Sequence, residues 1–327
     1  MTSRRERRAA AERKPFEPFG SGPGIRNVAI AALVRGAFFV VDRTVRRGHF
    51  AVCRALGAFA TRDAYVEFST PGGGRFRTHP GNGYWMRSML VRRRYEAELL
   101  PIVTTAVRAG VPFLDCGANL GWWSVIAGAG CEDPQRVLAV EASPSTYRGL
   151  TENALLNGGS FTTRHAAVWS YSGETIDFVE DRDSAASGLA KTRLPGTAAG
   201  QVVQVVTATL DELLDAVAPA KGAVLCKLDI EGAETEALSA SERTGSGDVA
   251  LMYEDHGSDR TSAVSAWLME RGFAVYAPDP DGPLTRMVDI ASIDARKVNP
   301  ERGYNFVAWV EGGAAEAAFG QHVRPSA

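Results

Sequence analysis

The sequence predicts an α/β protein built on a doubly wound, mostly parallel sheet of the Rossmann-like type. Three observations predict it. From Val111 onward, short apolar runs alternate with stretches apolar at helical spacing, as successive βαβ units require. The turn "FLDCGANLG" follows the first of these runs, and its glycines stand where an open α/β sheet binds its ligand. An acid, Glu141, ends the second run, 20 residues beyond Gly121.

The chain has 327 residues and divides into four stretches. Residues 1–24 read as a basic arm without fixed structure. Residues 25–94 read as helices and a hairpin, 95–311 as the main domain and 312–327 as a tail. Residues 1–60 hold twelve Lys/Arg against four Asp/Glu, a net +8, and the remainder holds 24 against 34, a net −10. A basic arm on an acidic body can touch anionic lipid or nucleic acid, or simply keep the chain soluble. The net charge of −2 carries no broad nucleic-acid signal, so no nucleic-acid partner is expected. No apolar signal-peptide core follows "MTSRRERRAAAERK". None of the four cysteines, Cys53, Cys116, Cys131 and Cys226, is spaced as CxxC, which fits a reducing compartment. A cytoplasmic location is expected.

The elements follow in order. Val28, Leu33, Val34, Val41, Val45, Val52 and Leu56 recur at helical spacing, giving one or two helices over 25–60. Such helices either lie on a membrane surface or pack on their own domain. "VAIAALVRGAFFVV" is interrupted by Arg35 and too short to span a bilayer, so no integral membrane contact is expected. "AYVEFST-PGGG-RFRTH" predicts a hairpin. "SMLVRRRYEAELLPIVTTAVRAG" predicts one helix ending at Gly110. Strands then fall at "VPFLDCG", "RVLAVEA", "TTRHAAVWS", "AVLCKLDI", "DVALMYEDH", "FAVYAP" and "YNFVAWV". Helices fall at "WWSVIAGAG", "STYRGLTENALLNG", "TLDELLDAV" and "TSAVSAWLMERG". Residues 171–206 interrupt the alternation, as an inserted hairpin or loop near the ligand would.

The glycine loop narrows the ligand. A carboxylate at Glu141 can accept hydrogen bonds from both hydroxyls of a ribose. A nicotinamide dinucleotide and S-adenosylmethionine both offer one. The dinucleotide fingerprint is G-x-G-x-x-G, whereas this turn reads D-x-G-x-x-x-G, with Asn119 in place of the middle glycine. That glycine lets backbone approach a pyrophosphate. S-adenosylmethionine has no phosphate, and its cationic groups favour carboxylates such as Asp115. Glycines serving only a tight strand-to-helix turn would give the same spacing.

The stretches "YEAELL", "FLDCGANLGWWS", "VLAVEASPSTYRGLTENALLNG", "TLDELL", "KLDIEGAE" and "YEDHG" stand in the order typical of FkbM-like methyltransferases, and the chain resembles that family from about Tyr95 to Val310. The resemblance implies a class I S-adenosylmethionine-dependent fold. It implies O-methylation of a hydroxyl on a sugar, a glycolipid or a polyketide-type natural product. It implies that Asp115, Gly117, Ala118, Asn119 and Gly121 contact the methionine part of the cofactor, with Glu96 reaching it from the preceding helix. Glu141 would hold the ribose, Ala142 and Ser143 the adenosine side, and Ala167 and Val168 the adenine edge. Asp229 would stand beside the transferring methyl. Trp122 and Trp123 depart from the more usual Tyr-Tyr pair.

"KLDIEGAE" puts four charges at the end of a strand that should be buried. Alternation points Lys227, Asp229 and Glu231 the same way. Lys227 should pair with a carboxylate, Glu231 or one on the fifth strand. Glu234 at a helix start needs only the helix dipole. A hydroxyl acceptor needs a base within hydrogen-bond reach. "YEDHG" sets Glu254, Asp255 and His256 at the ligand edge. His256, which titrates near neutral pH, is the first candidate base and Asp229 the second; a capping or solvent-facing role for His256 fits equally. His165, mid-strand, reads as a hydrogen-bonded core residue. Asp229, Glu231, Glu254 and His256 could hold Mg²⁺, though no fixed ligand spacing marks a metal site, and metal-free base catalysis is preferred. The competing readings are a nicotinamide-dependent dehydrogenase and a cofactor-binding scaffold without turnover. The pocket for a small-molecule or glycan acceptor should come from the first 94 residues and the 171–206 insert.

Overall fold

The computed structural model describes residues 25–26, 28–44, 48–61, 64–180, 188–189, 200–218, 221–255, 262–279, 282–298 and 304–324. The N-terminal strands are β1 (Ile25–Arg26), β2 (Val66–Ser69) and β3 (Arg75–Thr78). The central strands β4 (Phe113–Cys116), β5 (Val137–Glu141) and β6 (Thr162–His165) come next. The insert gives β7 (Ala167–Val168), β8 (Thr175–Glu180), β9 (Gly188–Leu189) and β10 (Gln201–Ala208). The series closes with β11 (Val224–Leu228), β12 (Val249–Glu254), β13 (Phe273–Pro278), β14 (Leu284–Met287) and β15 (Asn305–Val310). The central sheet has the order β14-β13-β15-β12-β11-β4-β5-β6. Its β6-β5-β4-β11-β12 half is parallel, as the βαβ alternation requires.

The last strand departs from the sequence reading. β15 enters antiparallel between β12 and β13 instead of extending a parallel series. After Asn305 the strand "FVAWV" is apolar throughout, and a strand buried on both faces reads the same in either direction. A dinucleotide-binding sheet runs parallel through its sixth strand, so this insertion also separates the fold from that class.

Every residue of β4, β5 and β11 is buried, so their side chains alternate into two cores. Phe113, Ala139 and Leu225 face one core, with α4 (Leu100–Ala109), α5 (Trp122–Gly130) and α6 (Pro144–Leu156). Leu114, Val140 and Cys226 face the other, with α7 (Leu210–Val217), α8 (Glu234–Ser239) and α9 (Ala263–Glu270). Beyond Asp289, which caps its start, α10 (Ile290–Lys297) closes the β13–β14 edge. The segment after Gly312 forms α11 (Ala314–Phe319), and its Ala315 and Phe319 are fully buried in the first core.

Of the one or two helices expected in the N-terminal region there are two, α1 (Val28–Thr44) and α2 (His49–Phe59), followed by the expected hairpin in the register Val66↔Thr78. Two side-chain amides, Asn153 on α6 and Asn157 at its C-terminal cap, hold that hairpin to the main domain. Asn153 and Asn157 each accept from and donate to the backbone of Arg77 and Arg75, at 2.7–3.0 Å. They satisfy the edge strand as a neighbouring strand would.

Two further readings are corrected. The helix expected over 88–109 is broken: Arg93 and Glu96 both take left-handed backbone, and only Leu100–Ala109 is α-helical, with Pro101 in its first turn. Proline suits a first turn and cannot continue a preceding one. The strand expected at "TTRHAAVWS" divides at Ala166. β6 completes the central sheet, while β7 joins the insert, whose order is β7-β10-β8-β9. The insert is thus the hairpin β8–β10, hung on the end of the third parallel strand.

Candidate active site

A cavity of 260 Å³ opens at the carboxyl ends of β4, β5, β11 and β12. Asp115, Gly117, Ala118 and Asn119 line it from the first loop, Glu141 and Ala142 from the second strand, Ala167 and Val168 from β7. Lys227, Asp229 and Glu231 line it from "KLDIEGAE", and Glu254 from the end of β12.

The first loop is shaped by three left-handed residues, Gly117 (φ 73°), Asn119 (φ 53°) and Gly121 (φ 85°). A Cβ on Gly117 would lie 1.7 Å from the Asp229 carbonyl oxygen. The glycine is therefore what lets the β4 and β11 ends close together. We expect Gly117→Ala to destabilise the fold by about 2–4 kcal/mol, combining left-handed strain with overpacking. Urea unfolding would measure it, and a cost under ~1 kcal/mol would mean that the two strand ends separate freely. Asn is the non-glycine residue that best tolerates left-handed backbone. The Asn119 side chain accepts from the Trp85 indole at 3.0 Å and from the Leu120 amide at 2.9 Å.

Glu141 is fixed by the same loop. Its carboxylate accepts from the Asn119 amide at 2.9 Å and the Ser143 amide at 2.8 Å. Burial pushes it up to about 7, while these amides hold it down. Asp115 is deeper still and also raised by burial, with Lys227 and the Ser124 hydroxyl pulling it back. Ser124 donates to its Oδ2 at 2.6 Å, while Oδ1 is buried without a hydrogen-bond partner.

Lys227 is buried beside them. Its partner is Asp229, at 2.7 Å, rather than Glu231 or a carboxylate on β12. Residues two apart on a strand share a face, whereas Glu231 sits past the strand in a left-handed turn (φ 55°). Burial pulls the Lys227 ammonium down, but Asp229, Glu96 and Asp115 together hold it above its ordinary range. Glu96 stands behind the cavity wall and accepts from the Trp123 indole at 2.8 Å. Burial pushes its carboxyl up to about 8, against Lys227, with Asp229 and Glu254 adding to the rise. It occupies the break before α4, not the preceding helix from which it was expected to reach.

Several expected site residues stand elsewhere. Gly121 and Ser143 do not line the cavity. Gly121 begins α5, and a Cβ there would meet Leu150 at 2.6 Å. Ser143 caps α6 and donates its hydroxyl to Glu180 of the insert at 2.6 Å. Asp255 turns away from the ligand edge to Lys297 (3.4 Å) and the Ser265 amide (3.0 Å). His165 is exposed rather than in the core, contacting the Ala142 carbonyl at 2.9 Å and stacking on Tyr147. Glu234 is buried, accepts from the Ile230 amide at 2.9 Å and is pushed up to about 7 by burial, so it ties the "KLDIEGAE" turn as well as starting α8. His256 lies outside the described residues. Among the described residues, no group of three or more His, Cys, Asp or Glu side chains could hold a metal ion.

Sequence reasoning missed the cavity's aromatic wall. Tyr84, Trp85, Tyr95, Trp122 and Trp123 line it on one side, and Phe178 of the insert on another. Trp85 and Tyr95 have ring centroids 4.7 Å apart, and Tyr84 stands edge-on to Trp85 at 5.5 Å. The departure at Trp122 and Trp123 was the one signal of this wall.

This strand order, with an antiparallel strand set between the fifth and sixth and a carboxylate-lined cavity at the parallel strands' carboxyl edge, is a class I methyltransferase architecture. Residues 115–275 match the family model described as the methyltransferase FkbM domain. Solved structures similar to the chain include precorrin-6y C5,15-methyltransferase from Geobacter metallireducens GS-15, at 12% identity and a TM-score of 0.36 over 66% of this chain and 88% of that one. A methyltransferase FkbM from Methylobacillus flagellatus KT is similar at 15% identity and a TM-score of 0.35, over 61% of this chain. The match spans 43% of that FkbM protein, less than half its length. A ribosomal protein L11 methylase from Lactobacillus delbrueckii subsp. bulgaricus is similar at 12% identity and a TM-score of 0.33, over 65% of this chain and 78% of that one. Among curated proteins none matches the chain.

Proposed function

We propose that the chain transfers a methyl group from S-adenosylmethionine to a hydroxyl of a natural product of polyketide type, or of a sugar or glycolipid. The observation that carries the cofactor reading is Asp115. A buried carboxylate oxygen without a partner is costly, and this one belongs to a residue in the wall of a cavity that also presents Glu141, Asp229, Glu231 and Glu254. The described cation among them, Lys227, is committed to Asp229. Such a wall favours a cationic guest and disfavours a pyrophosphate, which argues against the dehydrogenase alternative.

When bound, the cofactor supplies a methyl group already activated by a sulfonium leaving group. The protein's own residues orient and deprotonate. Asp115 and the Gly117–Asn119 backbone receive the methionine end. Glu141, held by two amides, offers its remaining lone pairs to ribose hydroxyls. Ala142, Ala167, Val168 and Phe178 form an apolar slot for a flat ring. The aromatic wall gives the acceptor a face to stack on, as sugars and polycyclic products both can. Asp229 stands where an acceptor hydroxyl can lose its proton, with one carboxylate oxygen tied to Lys227. Together these residues act chiefly through orientation.

Titration calorimetry tests the reading. S-adenosylmethionine and its demethylated product should bind, and NAD should not. Glu141→Ala should weaken both by about 1.5–3 kcal/mol, the range for a hydrogen bond to a charged group. Unchanged affinity in a folded variant would remove Glu141 from the ribose.

A further inference from the structure

We propose that α1 and α2 seat the protein on the surface of an anionic phospholipid bilayer. The sequence of α1 is apolar nearly all round, a pattern that belongs to a buried helix. Among its residues 29–40, one face is buried, through Ala31, Val34 and Phe38. The opposite stripe, Ala29, Ala32, Leu33 and Gly36, is exposed, Leu33 by 66%. A Cβ built on Gly36 meets no atom within 4 Å, so this face is open. On α2, Ala51, Ala55 and Ala58 are exposed and Phe59 is 91% exposed. The large exposed apolar side chains of the main domain, by contrast, are spread over α6, β10 and the flanks of α10.

Charge selects the occupant. Residues 25–60 hold six arginines and one aspartate, and residues 1–24 hold six Lys/Arg against three Glu. Arg35 and Arg54 stand on the exposed faces of the two helices. Exposed arginines 92, 93 and 94 follow Val91 at the end of the turn on which α1 packs. A second copy docking through the same patch would set these like charges against themselves across a twofold axis. An anionic bilayer meets them with the opposite sign, and the apolar stripe then enters the headgroup boundary. With 17 residues, α1 is too short to cross, so it lies in the interface plane.

The position matters for catalysis. α2 packs on the short helix α3 (Gly83–Met86), whose Tyr84 and Trp85 line the cavity. A hydroxyl carried on a lipid would therefore meet the cavity at the bilayer surface. That consequence rests on the proposed methyl transfer; the docking does not.

Flotation of the full chain with phosphatidylcholine vesicles, with and without phosphatidylglycerol, tests the docking. The chain should float with the anionic vesicles and stay behind with the neutral ones, and added salt should weaken the binding. Leu33→Asp/Gly36→Asp should lower the bound fraction about tenfold at an unchanged melting temperature, because both sites are exposed. Gly36→Leu fills open space and should tighten binding several-fold. Three outcomes overturn the proposal: a full chain that ignores both vesicles, an Asp variant that floats like the parent, or a dimer that this variant turns into monomers without vesicle binding, which would give the face to a second copy. S-adenosylmethionine binding, read separately by calorimetry, distinguishes failure here from failure of the methyl-transfer reading.

Discussion

Lys227→Met should cost the fold about 3–5 kcal/mol at neutral pH, the range for breaking a buried ion pair by removing one partner. Lys227 is 5% exposed at its side chain and Asp229 19%, so solvent screens the pair little. The ammonium also balances Glu96 and Asp115, and both are already raised by burial. Because the folded state holds the Lys227 proton more tightly than the unfolded chain does, its contribution is complete at pH 7 and is lost only far into the alkaline range. The deficit of the variant has its own pH dependence. A carboxyl raised in the folded state binds its proton more tightly there, so protonation favours folding. Glu96, at about 8 in the parent with Lys227 holding it down, rises further in the variant, so the deficit should grow as pH climbs through and above about 8 and level off below it. Urea unfolding of Lys227→Met across that window checks both points. Adding Glu96→Gln should recover part of the loss. A deficit that does not change with pH would remove the carboxylate cluster as its cause.

The same lysine shows what the sequence carries and what it conceals. That charges end a buried strand was legible in "KLDIEGAE", because three apolar residues precede them and period-two alternation sends Lys227 and Asp229 to one side. The parallel order was legible as well: β4, β5 and β11 are short, apolar but for one charged residue each, and separated by helices. The carboxylates Asp115 and Glu141 were legible from their place at strand ends, where an open sheet gathers ligands. The partner of Lys227 was not, since choosing among three acids depends on where the chain turns after Ile230. Nor was the fate of Asp255, one residue past Glu254: alternation sends the two to opposite faces, but nothing local to "YEDHG" reveals Lys297 waiting on the far side.

The aromatic wall was concealed for a different reason. Tyr84, Trp85 and Tyr95 lie in a segment without strand or helix periodicity, folded through a short helix, a wider turn and two left-handed residues. Its shape is set by tertiary contacts, such as the Trp85 indole on Asn119 and the Trp123 indole on Glu96. Neither contact leaves a trace in sequence spacing. The direction of β15 was hidden likewise, because a strand buried on both faces carries no mark of its polarity.

Asp229→Asn should lower kcat by roughly 10²–10⁴-fold, the usual cost of a lost general base. The substitution keeps the side chain's size, and Asn Oδ1 can still accept from Lys227, so the cavity's shape should survive. Affinity for the demethylated product should fall modestly, because Asp229 shares the cavity wall with the cofactor's proposed seat. A change in kcat that outruns the change in affinity marks a group acting in the chemical step rather than in capture. His256→Ala is the companion experiment. The sequence ranks that histidine first, two residues after Glu254, and a base there would make activity climb with pH through the histidine range and then level off. Against it stands the geometry of Asp229, which joins the cavity wall to the Lys227 ammonium at 2.7 Å. The ammonium fixes one carboxylate oxygen and leaves the other to meet an acceptor hydroxyl. If His256→Ala loses the large factor while Asp229→Asn retains near-parent turnover, the base is His256 and Asp229 only positions the lysine. If Asp229→Asn alone loses it, the proton leaves through the strand end where "KLDIEGAE" turns out of the sheet. Activity lost on EDTA treatment and restored by Mg²⁺ would replace both with a metal-held acceptor.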